Sequence, residues 1–165
     1  MKWLLIVILS LVGVVALIVI IGWLLPRNHK VSRTLALRQA PQAVWDLITG
    51  PPLWRPEIRG FQPMPPHDGH RVWRETDGHG QLITYEAIES TPPNRLVVKI
   101  ADPSLPFGGT WTYSIAPTPQ GCTLTITEDG EIYNPIFRFV ARIFISQSAT
   151  IDAYFKAVTA KFGES

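Results

Sequence analysis

The stretch from Asn134 to Phe162 has the pattern of one long amphipathic helix, and it constrains the fold more than any other part of the chain. Asn134 and Pro135 suit the first residues of a helix, and Gly163 suits the left-handed residue that follows the last turn. Apolar residues recur at spacings of three, four and seven, which places them on one helical face. This face comprises Phe137, Val140, Phe144, Ile151, Phe155, Val158 and Phe162, with a polar interruption at Gln147 and Ser148. A face of this length must be buried, so the rest of the chain has to supply a surface for it.

The N-terminal segment from Trp3 to Leu25 contains 23 consecutive uncharged residues. At 1.5 Å per residue this is long enough to cross about 30 Å of hydrocarbon. Trp3 and Trp23 lie near its ends, where indole rings favour the membrane interface. A cleaved signal peptide is the alternative, but its apolar region is usually shorter. We therefore predict an N-terminal transmembrane anchor with its flank over residues 1–26 and one domain over residues 27–165.

The basic residues around this segment predict its orientation. Arg27, Lys30, Arg33 and Arg38 follow the segment, whereas only Lys2 precedes it. Because positive residues favour the cytoplasmic side, we expect a single-pass membrane protein with its domain in the cytoplasm, with a periplasmic domain as the alternative.

The charge balance argues against nucleic acid as a partner, and the position of the histidines argues against a metal site. From Pro26 onward there are 14 basic and 13 acidic residues, so no broad positive field is expected. His67 and His70 have a spacing that two metal ligands could use, but they lie in a proline- and glycine-rich segment, and we interpret them as solvated loop residues. Cys122 is interpreted as a small buried apolar residue. No metal or other cofactor is predicted.

The remaining chain reads as an antiparallel sheet with two short helices after its first strand. The first strand is expected at Lys30 to Leu37, a helix begins at Pro41, and a second turn or helix carries Trp54. The segment Gln62 to His70 is interpreted as a strand end followed by a loop. Five further strands are expected at Arg71–Thr76, Gln81–Ser90, Arg95–Ala101, Gly109–Ala116 and Cys122–Tyr133. Short turns join them, so the sheet should be a meander with one apolar face covered by the C-terminal helix.

This order of elements, and four short sequence phrases, resemble the START-like or Bet v 1-like superfamily. The phrases are Ala40-Pro41-Gln42-Ala43-Val44-Trp45, Gly109-Thr110-Trp111-Thr112-Tyr113, Thr127-Glu128-Asp129-Gly130-Glu131 and Asn134-Pro135-Ile136-Phe137-Arg138. They look like phrases of its polyketide cyclase/dehydrase branch, within the SRPBCC group, and the resemblance extends from about Lys30 to Phe162. It implies an α+β helix-grip fold, in which a curved antiparallel sheet wraps around a long C-terminal helix and encloses a cavity for a hydrophobic ligand.

Three functions follow as alternatives. The first is a membrane-anchored binding module for a hydrophobic or lipid-like small molecule in a cavity between sheet and C-terminal helix, without catalysis. Its expected ligand-binding residues are Trp54, Tyr85, Trp111, Tyr113, Leu124, Phe144, Gln147, Ile151 and Phe155.

The second alternative is a cyclase- or dehydratase-like enzyme. Its candidate catalytic residue is Glu128, which shares strand parity with Leu124 and Ile126, and burial would raise the pKa of this carboxyl group. Arg74 and Glu86 are further candidate cavity groups. The third alternative is a protein-interaction domain without a working cavity, which the almost entirely apolar segment from Ile136 to Ile145 favours.

Overall fold

A computed structural model describes residues 2–144 and 148–164 of the chain. Its helices are α1 (Lys2–Leu24), α2 (Pro41–Thr49), α3 (Pro135–Phe144) and α4 (Ala149–Phe162), with a short 3₁₀ helix at Pro52–Trp54. Its strands are β1 (Asn28–Leu37), β2 (Ile58–His67), β3 (His70–Asp77), β4 (Leu82–Thr91), β5 (Arg95–Ile100), β6 (Phe107–Thr118) and β7 (Gly121–Ile132).

The seven strands form one antiparallel sheet in the order β1-β7-β6-β5-β4-β3-β2. Strands β2 to β7 follow one another as the predicted meander, and β1 joins the sheet by pairing with β7 along its whole length. The inner face of the sheet packs against α2 and α4. The centre of this core contains Leu124, Ile126 and Val44 at 0% exposure, together with Ile151 and Val158 of α4. The predicted α+β helix-grip architecture is confirmed.

The segment after Phe61 is a strand rather than the predicted strand end and loop. Strand β2 continues to His67, and only Asp68 and Gly69 form the turn before β3. Three prolines are tolerated there because β2 is an edge strand, where a missing backbone N–H need not interrupt a ladder on the open side.

The predicted long helix over residues 134–162, with its polar interruption at Gln147 and Ser148, corresponds to two described helices, α3 and α4, and Ser148 directly before α4 is not helical. Residues 145–147 lie outside the described part of the chain. The two helices have different packing partners. Helix α4 inserts Ile151, Tyr154 and Val158 into the core, whereas α3 packs against α1.

Helix α1 is long and apolar enough to cross a membrane, although a signal sequence would also satisfy that criterion. Nearly all of its side chains are exposed, and its one buried residue is Gly22, near the C-terminal end. A Cβ atom at Gly22 would overlap the carbonyl group of Pro135. Glycine at this position therefore allows the backbones of α1 and α3 to approach closely.

Candidate ligand-binding cavity

A cavity of about 400 Å³ lies between the sheet and α4 and extends to the junction of α1 and α3. This volume is within the range of small-molecule sites. Phe107, Trp111 and Tyr113 of β6 line one wall. Since a strand rises about 3.4 Å per residue, the six steps from Phe107 to Tyr113 correspond to roughly 20 Å of wall. The cavity is therefore long enough for an extended or polycyclic hydrophobic molecule.

A buried ion pair stands on the cavity wall. Arg55 follows the 3₁₀ helix and contacts Glu75 of β3 through its Nη2 atom, and the two side chains are only 14% and 8% exposed. Trp73 lies on the same face of β3 and donates a hydrogen bond from Nε1 to Glu75 Oε1, at 2.9 Å. Burial alone lowers the pKa of Arg55, but the charge of Glu75 raises it, and the net pKa is above its ordinary value. Arg55 therefore stays cationic inside the cavity.

Three tyrosines surround this ion pair. The ring of Tyr154 lies 5.7 Å from the ring of Tyr113, and the Arg55 guanidinium carbon lies 5.5 Å from the centre of the Tyr154 ring. Tyr85 stacks against Trp73 with ring centres 5.7 Å apart. We call Arg55, Glu75, Tyr85, Tyr113 and Tyr154 the arginine–tyrosine cluster.

Burial raises the pKa of all three tyrosines far above the ordinary value. Their hydroxyl groups are protonated at physiological pH. The hydroxyls of Tyr113 and Tyr154 are hydrogen bonded to each other, so one of them is already used as a donor, and the other hydroxyl and that of Tyr85 can donate to an oxygen atom of a ligand. The arginine–tyrosine cluster thus offers a cation and two neutral donors, which suit a carbonyl, phenol or enolate oxygen.

A second polar group on the wall is Glu128 of β7, whose Oε1 atom lies 3.3 Å from Nε2 of His29 in β1. His29 is paired in register with Gly130, and a Cβ atom at Gly130 would overlap the imidazole ring. Glycine at this position therefore leaves room for the ring beside Glu128. Burial raises the pKa of Glu128, and the interaction with His29 offsets part of that rise. This pair can hold or move a proton.

The two polar groups lie at different levels of the cavity. Trp111 is the cross-strand partner of Glu128, and Tyr113 is two residues further along β6. Two residues of strand correspond to about 7 Å, so a single ligand can reach both levels.

Some buried polar atoms at the site make no hydrogen bond among the described residues. They are Nε1 of Trp54, Nε of Arg55 and Oε2 of Glu128. Nε of Arg55 lies 3.9 Å from Oε1 of Glu57, which is within ion-pair distance but too long for a hydrogen bond. Arg55 and Glu128 both line the cavity. Because a buried polar atom without a hydrogen bond is costly, these two atoms mark places where a ligand group or water would be favoured.

The predicted ligand-binding residues fall into three groups. Tyr85, Trp111 and Tyr113 line the cavity, as does the predicted catalytic candidate Glu128. Leu124 and Ile151 are fully buried in the core beside it, and Trp54 and Phe155 pack against that core. Gln147 and the side chain of Phe144 lie outside the described part of the structure. The ligand contacts of all these residues remain predictions.

Sequence reasoning missed Arg55, Glu75, Trp73 and Tyr154. A signal existed for three of them. Trp73 and Glu75 alternate along β3 and therefore share one face. Tyr154 lies three residues after Ile151 on the buried face of α4. No local pattern indicated that Arg55 would reach Glu75, since 20 residues separate them.

The histidines of the β2–β3 turn contact a carboxylate outside the cavity. His70 Nδ1 lies 2.8 Å, and His67 Nδ1 3.3 Å, from Oε1 of Glu86. The hydrogen bonds with His70 and His67 lower the pKa of Glu86. Glu86 and Arg74, two further predicted cavity groups, are not among the lining residues described. Within residues 2–144 and 148–164, no cluster of three or more ligand-type side chains suits a metal ion.

Comparisons with solved structures show the same fold. The di-domain ARO/CYC StfQ from the steffimycin biosynthetic pathway matches with a TM-score of 0.63 and 16% identity, over 81% of this chain and 50% of that one. This chain thus spans about half the length of StfQ. Norcoclaurine synthase from Thalictrum flavum matches with a TM-score of 0.62 and 13% identity, over 84% of this chain and 88% of that one.

A protein from Mesorhizobium loti matches with a TM-score of 0.59 and 18% identity, over 79% of this chain and 93% of that one. No curated protein matches the chain. The family model described as polyketide cyclase/dehydrase and lipid transport matches residues 28–160. The chain therefore belongs to the polyketide cyclase/dehydrase and lipid transport family.

Proposed function

We propose that the protein is a membrane-anchored binding module for a hydrophobic small molecule that carries oxygen functions. The observation that supports this most is the arginine–tyrosine cluster inside an otherwise largely aromatic and aliphatic cavity of about 400 Å³. Apolar walls favour the hydrocarbon part of a ligand, and a few convergent donors fix its orientation. A domain without a working cavity, the third alternative, is hard to reconcile with this volume.

The anchor in this proposal is α1. A cleaved signal peptide would have no need of a fixed contact with the mature domain, whereas α1 contacts α3 and is hydrogen bonded by Arg138. We also infer that the domain is cytoplasmic, because Arg27, Lys30 and Arg33 follow α1. A reporter fused after residue 165 that is active only in the cytoplasm tests the orientation. Activity only on the opposite side would refute it.

The binding proposal is tested by native mass spectrometry of the full chain, purified in mild detergent, followed by extraction of whatever co-purifies. We expect a bound hydrophobic molecule at about one per chain. Ile83→Trp places a large ring in the cavity, because Ile83 lines it. The matched control is Leu82→Trp, since Leu82 is the preceding residue and is 50% exposed. Loss of the molecule in I83W but not in L82W supports the proposal. An empty wild-type chain that also binds no apolar fluorescent probe would overturn it.

A second candidate function, catalysis of the cyclase or dehydratase type, is favoured by the Glu128–His29 pair. The raised pKa of Glu128 allows it to donate a proton, while Arg55 and the tyrosines could stabilise an enolate oxygen. Incubation of the co-purified molecule or its precursors with the protein would reveal a product, for example one lighter by a water molecule. Enzymatic function predicts that Glu128→Gln abolishes this conversion and leaves binding intact. Equal conversion by both proteins would exclude Glu128 as the acid.

A further inference from the structure

Helix α3 carries an apolar face that points away from the protein. Ile136, Val140 and Ile143 are 46%, 38% and 56% exposed. Positions 136, 140 and 143 follow the helical repeat, so they form one stripe. We call these three residues the outward face of α3. An apolar stripe of this kind on a ten-residue helix is unfavourable in water and usually has a partner.

The position of α3 relative to α1 indicates what that partner is. Helix α3 packs against the part of α1 where Ile18 and Val19 are partly covered and Gly22 is buried. The other residues of α1 are exposed. Residues 18 to 24 occupy about 10 Å at the C-terminal end of α1. If α1 spans the membrane, α3 is held at the depth where acyl chains meet headgroups.

Arg138 fixes this arrangement. Its side chain is only 4% exposed, and its Nη1 atom donates to the carbonyl oxygens of Gly22 and Leu25, at 2.9 and 3.0 Å. It also donates to the carbonyl oxygens of Ile132 and Tyr133. The last carbonyls of a helix have no partners within the helix, and a cation is favourable there. Since unpaired carbonyls are especially costly in a membrane, separation of α3 from α1 would be opposed.

The same junction forms one end of the cavity. Leu25 of the α1 end and Phe137, Arg138, Ala141 and Arg142 of α3 line it. We propose that α3 lies in the membrane interface with its outward face among the acyl chains, so that the cavity opens toward the lipid. A hydrophobic ligand then passes between bilayer and cavity without crossing bulk water. This inference rests on the proposed membrane anchor and names the bilayer as the source of the ligand.

Site-directed spin labelling of the full chain in vesicles of phosphatidylcholine and phosphatidylglycerol tests the proposal. Cys122→Ala removes the one native cysteine, and circular dichroism checks the fold. Labels are then placed by Val140→Cys or Ile143→Cys. The control is Gln120→Cys, because Gln120 is exposed in the β6–β7 turn at the opposite end of β6 from α3. Accessibility to oxygen, which concentrates in lipid, is compared with accessibility to a water-soluble nickel complex.

We expect the oxygen-to-nickel ratio at positions 140 and 143 to exceed that at position 120 by roughly tenfold, as for a helix embedded in the interface. Equal ratios at all three positions would overturn the proposal. Shielding of positions 140 and 143 from both reagents would indicate a protein partner and would also overturn it.

The cavity variant Ile83→Trp separates this inference from the proposed function. Because Ile83 is on the sheet and not on α3, the accessibilities at positions 140 and 143 should be the same in this variant as in the parent chain. Water-exposed labels on a chain that still binds its ligand would refute the interfacial helix and leave the binding function standing. Lipid-exposed labels on a chain without any ligand would refute the binding function and leave the interfacial helix standing.

Discussion

Replacing Arg55 by methionine would measure how much the buried ion pair contributes to the stability of the fold. Arg55→Met keeps most of the apolar stem but removes the charge, which leaves the Glu75 carboxylate buried beside Trp73. Removal of one partner from a buried pair typically costs about 3–5 kcal/mol, because the remaining charge is uncompensated. For a domain of this size, 1 kcal/mol corresponds to about 3–4 °C in the midpoint of thermal unfolding. We therefore expect the midpoint to fall by about 10–20 °C.

The assay is thermal unfolding of the full chain in detergent, followed by tryptophan fluorescence. Arg95→Met is the matched control, because Arg95 pairs with Glu89 at 2.7 Å, but these side chains are 46% and 44% exposed. Exposed pairs contribute at most about 1 kcal/mol, so the control should lose no more than about 4 °C.

The cause of the effect can be tested with a second substitution. Adding Glu75→Gln to Arg55→Met removes the uncompensated charge and keeps an acceptor for Trp73, so at least part of the loss should be recovered. The reasoning is refuted if Arg55→Met lowers the midpoint no more than Arg95→Met does, or if the double variant is no more stable than Arg55→Met alone.

Three further substitutions test the site and its surroundings. Glu128→Gln should stabilise the protein near neutral pH and have little effect at about pH 4. Burial raises the pKa of the Glu128 carboxyl group above 4.5, so the stability of the wild-type chain falls as the pH rises through the raised pKa, and glutamine avoids this loss. The difference in thermal unfolding midpoint between the two proteins, measured against pH, tests this. Gly22→Leu should cost about 1–3 kcal/mol because its side chain would meet Pro135, whereas Gly13→Leu, with nothing within 4 Å, should be neutral in the same assay. Ile126→Ala should cost about 2–5 kcal/mol but keep the co-purified ligand, since Ile126 is buried in the core and is not a lining residue; loss of the ligand from a folded variant would contradict this.

The sheet was predictable from the sequence because its evidence is local. Alternation along Cys122, Leu124 and Ile126 identified the inner face of β7, and those residues are fully buried. Strand parity also indicated that Glu128 would face inward, and it lies on the cavity wall. Strand β2 was harder to predict, because prolines argue against a strand unless its position at the sheet edge is already known.

The arginine–tyrosine cluster was not predictable in the same way. It brings Arg55 from a short connection together with Glu75 of β3 and Tyr154 of α4. No spacing along the chain indicates that these side chains lie together, because their contacts depend on how α4 lies over the sheet. The predicted ligand-binding residues Tyr85 and Tyr113 therefore captured only the contribution of the sheet to the site.

The division of the predicted helix has a direct consequence for the cavity. In the structure α3 contacts α1 and also reaches the strand ends, where the Phe137 ring lies 6.4 Å from the Phe107 ring and Arg138 donates to the carbonyl oxygen of Ile132. Phe107, Ile132 and Phe137 line the cavity at this end. The apolar content of this segment, greater than one sheet face requires, is thus divided between the cavity end, α1 and the outward face of α3. The buried Arg138 and the cavity end at the junction of α1 and α3 are therefore parts of one arrangement, and under the proposal above the N-terminal helix would determine where a ligand enters.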